Sequence, residues 1–314
     1  MSTHRPPLTQ APPAARPARV PHGPLALLAL AMALSGLVAA IGLLVDDRTL
    51  GGEPIWLKPL KFAVSLGVYG ATLAWLHGHL TRGRRAGWWA GTVVAGASAA
   101  EMALILVQVV RGQRSHFNQT TPFDAAVYAV MGATVAVLWL GSLVVAVLLF
   151  RQPLPDRATT WAIRLGAGIS VVGLALGFLM SQPTAEQLGA GATGIIGAHT
   201  VGAPDGGPGL PVTGWARTAG DLRVGHFVGM HALQVLPAAA FGLSRVRRLR
   251  PETRARLVWV LAGGYAGLVL TVTVQALRGR ALVDPDGVTL ALAATVAAAC
   301  ACATLAALTR RPGT

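Results

Sequence analysis

Val107-Gln108-Val109-Val110-Arg111-Gly112 returns as Val274-Gln275-Ala276-Leu277-Arg278-Gly279, and each copy closes a long apolar run that follows an arginine-rich loop. Further upstream, Ser35 and Gly42 in the first apolar run have the spacing and flanks of Ser170 and Gly177 in the fifth. Self-similarity on this scale reads as one supersecondary unit used twice. The parse is a tail over 1–23, a four-helix repeat over 24–150, and a second over 151–314 that includes a long loop, 182–222.

The composition says where such units fold. Of the 314 residues, 53% are hydrophobic and 12% charged, with a mean hydropathy of +0.56. A water-soluble chain of this make-up would be coated in apolar surface. Lipid offers no partner to backbone N–H and C=O groups, so a chain crossing it closes every bond within helices of about 20 residues. Eight apolar stretches meet that length, at roughly 24–45, 57–77, 87–110, 125–150, 159–181, 223–243, 257–277 and 288–308. The expected fold is all-α: an integral membrane bundle of about eight transmembrane helices in two direct repeats.

Charge sets the expected orientation. The tail, the loops near 78–86, 151–164 and 244–256 and the C-terminus carry 17 of the 26 Lys+Arg, with only Asp156 and Glu252 against them. Positive residues stay on the cytoplasmic side, so both termini are placed there, as in a multi-pass protein of the cytoplasmic (inner) membrane. The isoelectric point near 11.5 then records topology. Nucleic acid is not an expected partner; the lipid bilayer is. The Pro-, Ala- and Arg-rich tail cannot bury apolar surface and is expected to be disordered. The run after it ends in Asp46-Asp47 without a cleavage site, so it reads as an uncleaved span. Cys300 and Cys302 sit two apart on different helix faces and read as packing residues.

Because each repeat has an even number of spans, the halves are expected to face the same way about an axis along the membrane normal. Matching them sets Lys61 against Arg223, Tyr69 against His231, Thr72 against Gln234, Gln108 against Gln275 and Arg111 against Arg278. Lys58, Lys61, Ser65, Tyr69 and Thr72 share one face of the second span, and Ser98, Glu101, Gln108 and Arg111 one side of the third. Polar groups in hydrocarbon must face protein, water or each other, which predicts an outward-opening polar cavity. Glu101, ~15 Å below Arg111 at 1.5 Å per residue, is the candidate proton-handling carboxyl.

The sixth span, Asp221-Leu-Arg223-Val-Gly225-His226-Phe-Val-Gly229-Met230-His231-Ala-Leu-Gln234, is the richest in chemistry and reads as continuous despite Pro237. Imidazole suits a transition metal, so His226, His231 and His116 are the candidate metal ligands. A haem b would use an imidazole for iron and Lys61, Arg111, Arg223 or Arg278 for its propionates, with Gln108, Gln234 and Gln275 beside them. The same basic residues suit a small anionic ligand. Three classes follow: a haem- or metal-binding redox-linked protein, which is favoured; a proton-coupled transporter of an anion; and a structural or assembly subunit. The runs GAHTVGAPDGGPGLP and GDLRVGHFVGMHALQVLP, with WLKPLKF and RGQRSHFN, resemble a group of uncharacterised bacterial polytopic membrane proteins. That resemblance spans most of the chain and implies no activity.

Overall fold

The computed structural model describes residues 22–154, 156–191 and 194–310. The tail expected to be disordered lies, but for its last two residues, outside them. In chain order the helices are α1 (Gly23–Val45), α2 (Leu57–His77), α3 (Arg84–Arg111), α4 (Pro122–Phe150), α5 (Arg157–Met180), a short α6 (Ala185–Gly189), α7 (Leu222–Met230), α8 (Ala232–Arg245), α9 (Pro251–Leu277) and α10 (Gly287–Thr309). Seven are long and apolar enough to cross a membrane, and α7 with α8, bent by 45°, makes an eighth. The chain is a multi-pass α-helical membrane protein.

The expected spans and the helices agree within a few residues because the helix ends are written locally. Asp156 and Asp286 each accept a backbone N–H of the first turn, at 3.0 and 2.9 Å, and Thr121 does so for Asp124 at 3.1 Å. The twice-used motif is a helix terminator. Gly112 and Gly279 adopt φ of +68° and +71°, which a side chain would resist, and the next residue's N–H returns to the carbonyls of Gln108 and Gln275. Gln108 Nε2 then donates to the carbonyl six residues on, Arg114 O at 3.3 Å, as Gln275 Nε2 does to Ala281 O at 2.6 Å.

Helix α1 packs on α2 and α3, and α3 on α4; α5 packs on α7, α8 and α9, and α9 on α10. The two sets meet through α4 against α5 and, lightly, α2 against α8. Association in lipid relies on close contact, because tails are as apolar as leucine. On α5, Gly166, Ser170, Gly173 and Gly177 stack on one face, and a methyl at Gly173 would overlap the Gly229 backbone of α7.

The sixth span is not continuous. Pro237 has no N–H for Leu233 O, and its ring disfavours a straight helix one turn back. At the break, the Gln234 and Val235 N–H groups both turn to His231 O, at 3.0 Å each, leaving Met230 O without its helical partner. Ser170 Oγ supplies the missing bond at 2.9 Å.

One end of the bundle carries the long connections, 46–56, 112–121, 181–221 and 278–286; the other has only short ones. The 182–222 segment is tied down at several points. A capping box starts α6, and two-residue ladders join strand β4 (Gly194–Ile195) to β3 (Asn118–Gln119) and β5 (Thr200–Val201) to β6 (Gly220–Asp221).

Candidate functional site

The 112–121 connection folds inward: Ser115, Phe117 and Asn118 are buried. His116 therefore reaches Glu101, ten residues down α3 from Arg111. Lys58 Nζ, in the first turn of α2, donates to His116 Nδ1 at 3.0 Å, and His116 Nε2 stands 3.4 Å from Glu101 Oε1. Thr134 Oγ1 of α4 donates to Glu101 Oε2 at 2.8 Å. Glu101 is 2% exposed, and its Oε1 has no formed hydrogen bond. Nδ1 accepting from an ammonium makes Nε2 the protonated nitrogen, aimed at the carboxylate. Burial, and after it the repulsion of Lys58, pulls the His116 imidazole down to about 4 against the attraction of Glu101. It is neutral at pH 7. Lys61 bonds Glu53 rather than Glu101, and Lys58 is linked to Glu101 only through His116.

A second set lies under the long loop. Lys61 Nζ donates to Glu53 Oε2 at 3.2 Å and Thr213 O at 3.1 Å. Arg223 grips Asp221 through Nε at 3.0 Å and Nη2 at 2.7 Å, and Nη2 also reaches Gly214 O at 2.6 Å. Asp221, fully covered, caps α7 and also accepts from Ala216 N at 2.8 Å. Next to it His199 Nδ1 meets Asp205 Oδ2 at 2.9 Å. Burial pushes the Asp205 carboxyl up, but bonds from His199 and Thr200 outweigh it and hold it well below the carboxylate range; burial likewise holds His199 below its ordinary value.

A third set is strung across the junction of the halves. His231, at the break, has Nδ1 3.4 Å from Gln234 Oε1, and Gln234 Nε2 donates to Thr72 Oγ1 at 3.2 Å. Gln234 of α8 and Thr72 of α2 thus touch each other across the two sets of helices. A small cavity of about 10 Å³ near them, between Tyr69, Ser142, Ser170 and Leu233, has room for about one water.

The remaining candidate residues fall into local contacts. Arg111 and Gln108 both bond Asp124 at the start of α4, and Arg278 bonds Asp286 at the start of α10 at 2.7 Å. With Gln275 they close helix ends rather than hold a cofactor. Among the described residues most of these polar groups bond one another under the loop rather than lining one open cavity, while Ser65 Oγ, Ser98 Oγ and Glu101 Oε1 are buried without a hydrogen bond. His226 Nδ1 bonds Gly173 O at 2.8 Å, with its ring against Gly177. His116 lies with Glu101 and His231 with Gln234. Among the described residues no three His, Cys, Asp or Glu side chains are placed to hold a metal. Because α5 and α7 touch backbone to backbone beside His226, a porphyrin has no slot at that histidine.

Sequence reasoning missed Lys58 as the partner of His116, and also Thr134, Asp221 and Glu53. Asp221 had a local signal, since an aspartate directly before a helix is a cap. Thr134 had none. Leu268, seven residues before Gln275 as Glu101 is before Gln108, is 47% exposed.

These contacts define a helical membrane protein with a buried acid–imidazole–ammonium line and a basic pair under a folded loop. No protein-family profile, curated protein or solved structure matches the chain.

Proposed function

We propose that this protein moves protons together with a small anionic solute across the bacterial cytoplasmic membrane, with both termini in the cytoplasm and the long loop outside. The observation that carries it is His116 standing between Lys58 and Glu101. A neutral imidazole in that position takes a proton at Nδ1 from the long-loop end and releases the Nε2 proton to Glu101 Oε1. The carboxylate becomes the neutral acid, and the imidazole is left protonated on Nδ1. One charge at depth is removed, which is what a carrier needs before it rearranges.

Two further observations support the reading. The sixth span is interrupted at His231, and transporters build sites at interrupted helices. The packing of α1–α4 has the same order of neighbours as that of α5 with α7–α10, which supports two direct repeats related about the membrane normal. The lysine and arginine bias of the short-loop end supports the orientation, and the resemblance to bacterial polytopic proteins supports the compartment.

The test uses full-length protein in liposomes loaded with a pH-sensitive dye. Adding succinate outside is expected to acidify the lumen, and Glu101→Gln to lower the initial rate at least tenfold. No acidification with succinate, acetate or phosphate would leave the structural-subunit reading standing in its place.

A further inference from the structure

The turn from Leu210 to Trp215 occupies the place where the basic residues of the two halves meet. Lys61 donates to Thr213 O and Arg223 to Gly214 O, so two consecutive carbonyls take one cation from α2 and one from α7. Neither cation needs the turn for neutrality, since Lys61 keeps Glu53 and Arg223 keeps Asp221. The turn is seated under strain. Val212, a β-branched residue, has φ of +65° and is 75% exposed, so no burial offsets the conformation. Gly214 lies so close against Glu53 that a Cβ would overlap its carboxylate.

A carbonyl is the weaker partner for these donors. Carboxylate oxygens accept charge-assisted bonds roughly twice as strong. Lys58, close enough to feel Lys61, Arg223 and Arg114, adds positive charge beside the pair, with Glu101 opposing it. Among the described residues Arg114 and Lys58 are in ion-pair contact with no carboxylate; Lys58 bonds His116 and lies over the Phe62 ring. Lys61 and Arg223 retain 24% and 18% side-chain exposure, so the pair is reachable from the long-loop end.

We infer that Lys61 and Arg223 form a binding pair for a small carboxylate, and that the Thr213 and Gly214 carbonyls are its built-in stand-in, displaced when the solute arrives. The exchange leaves both ion pairs intact: the solute's two oxygens take the two bonds the turn gives up, and Val212 relaxes as it leaves. The inference rests on the transport reading and names its solute class.

The probe is succinate, added to the full chain purified in detergent, where no gradient exists. Binding is followed by thermal shift and by Trp215 emission, taken as the difference between the unaltered protein and Trp215→Phe. A saturable response is expected, weakened at least tenfold in Lys61→Gln and in Arg223→Gln. Val212→Gly keeps every charge and relieves the seated turn, so it is expected to weaken binding about fivefold, the equivalent of one strained residue. It decides the matter if the charge variants fail to fold. No saturable response, an equal response to phosphate or chloride, or unaltered binding in the variants that fold would overturn the inference. Succinate binding of this pattern without proton movement in liposomes overturns the transport reading alone. Proton movement with succinate binding untouched by the variants overturns this inference alone.

Discussion

Ser170 of α5 donates its hydroxyl to the carbonyl of Met230 on the far side of the sixth-span break, at 2.9 Å, and so satisfies the acceptor that the break releases. Ser170→Ala leaves that buried oxygen unpaired, which costs about 1–3 kcal/mol. The expected outcome is a lower unfolding midpoint in a detergent-denaturant titration with the helical circular dichroism of the folded state unchanged. Pro237→Ala should partly offset the loss in the double variant, because a straighter helix gives Met230 O back its own N–H donor.

Backbone contact between Gly173 and Gly229 has no tolerance for an added carbon. Gly173→Ala forces α5 and α7 apart and is expected to cost about 3 kcal/mol or more, as overpacking at backbone does. The matched substitution Gly132→Ala meets nothing within 4 Å and should be silent. Yield of monodisperse protein on size exclusion compares the two.

His116 gives stability a pH dependence of known sign. Its folded value, about 4, lies below the ordinary 6.5. Between those values the unfolded chain binds the proton and the folded one does not, so stability falls as pH drops from about 6.5 towards 4 and levels off below. Midpoints across pH 4–7 should show the decline, and His116→Asn should make it shallower, with buried His199 contributing the remainder in the same direction. Histidine nitrogen NMR showing His116 charged at pH 6 would count against the arrangement.

The two terminators should not be equally costly to damage. Gln108 serves Arg111, Arg114 O and Asp124 together, whereas Gln275 serves Ala281 O. Gln108→Leu is expected to lower the midpoint by two to three times as much as Gln275→Leu, since it removes bonds to the Arg111–Asp124 pair as well as to a carbonyl.

The spans were legible because lipid forces a length and a composition that few other structures share. Leu57–His77 was placed to the residue. Helix ends were half legible: Gly112 and Gly279 announce themselves, but the Asp124 and Asp286 partners of the motif arginines depend on where the next helix begins. The break at His231 was misjudged because Pro237 alone does not decide it. It is fixed by Gly173 admitting Gly229 and by Ser170 taking Met230 O, contacts about 60 positions away in the chain. His116 with Glu101 was similarly hidden, since no local pattern says that a loop will fold into a bundle.

Gln152, 1% exposed, stitches the short-loop end. Its Oε1 accepts from Thr81 N, Thr81 Oγ1 and Arg82 N, its Nε2 donates to Arg82 O and Leu148 O, and its own carbonyl accepts from Arg164 of α5 at 3.2 Å. A single amide thereby rivets the α2–α3 corner to the end of α4 and to the first helix of the other half. That corner is held from three sides at once, and amides around Thr81 and Arg82 should be the slowest loop positions to trade hydrogen for deuterium.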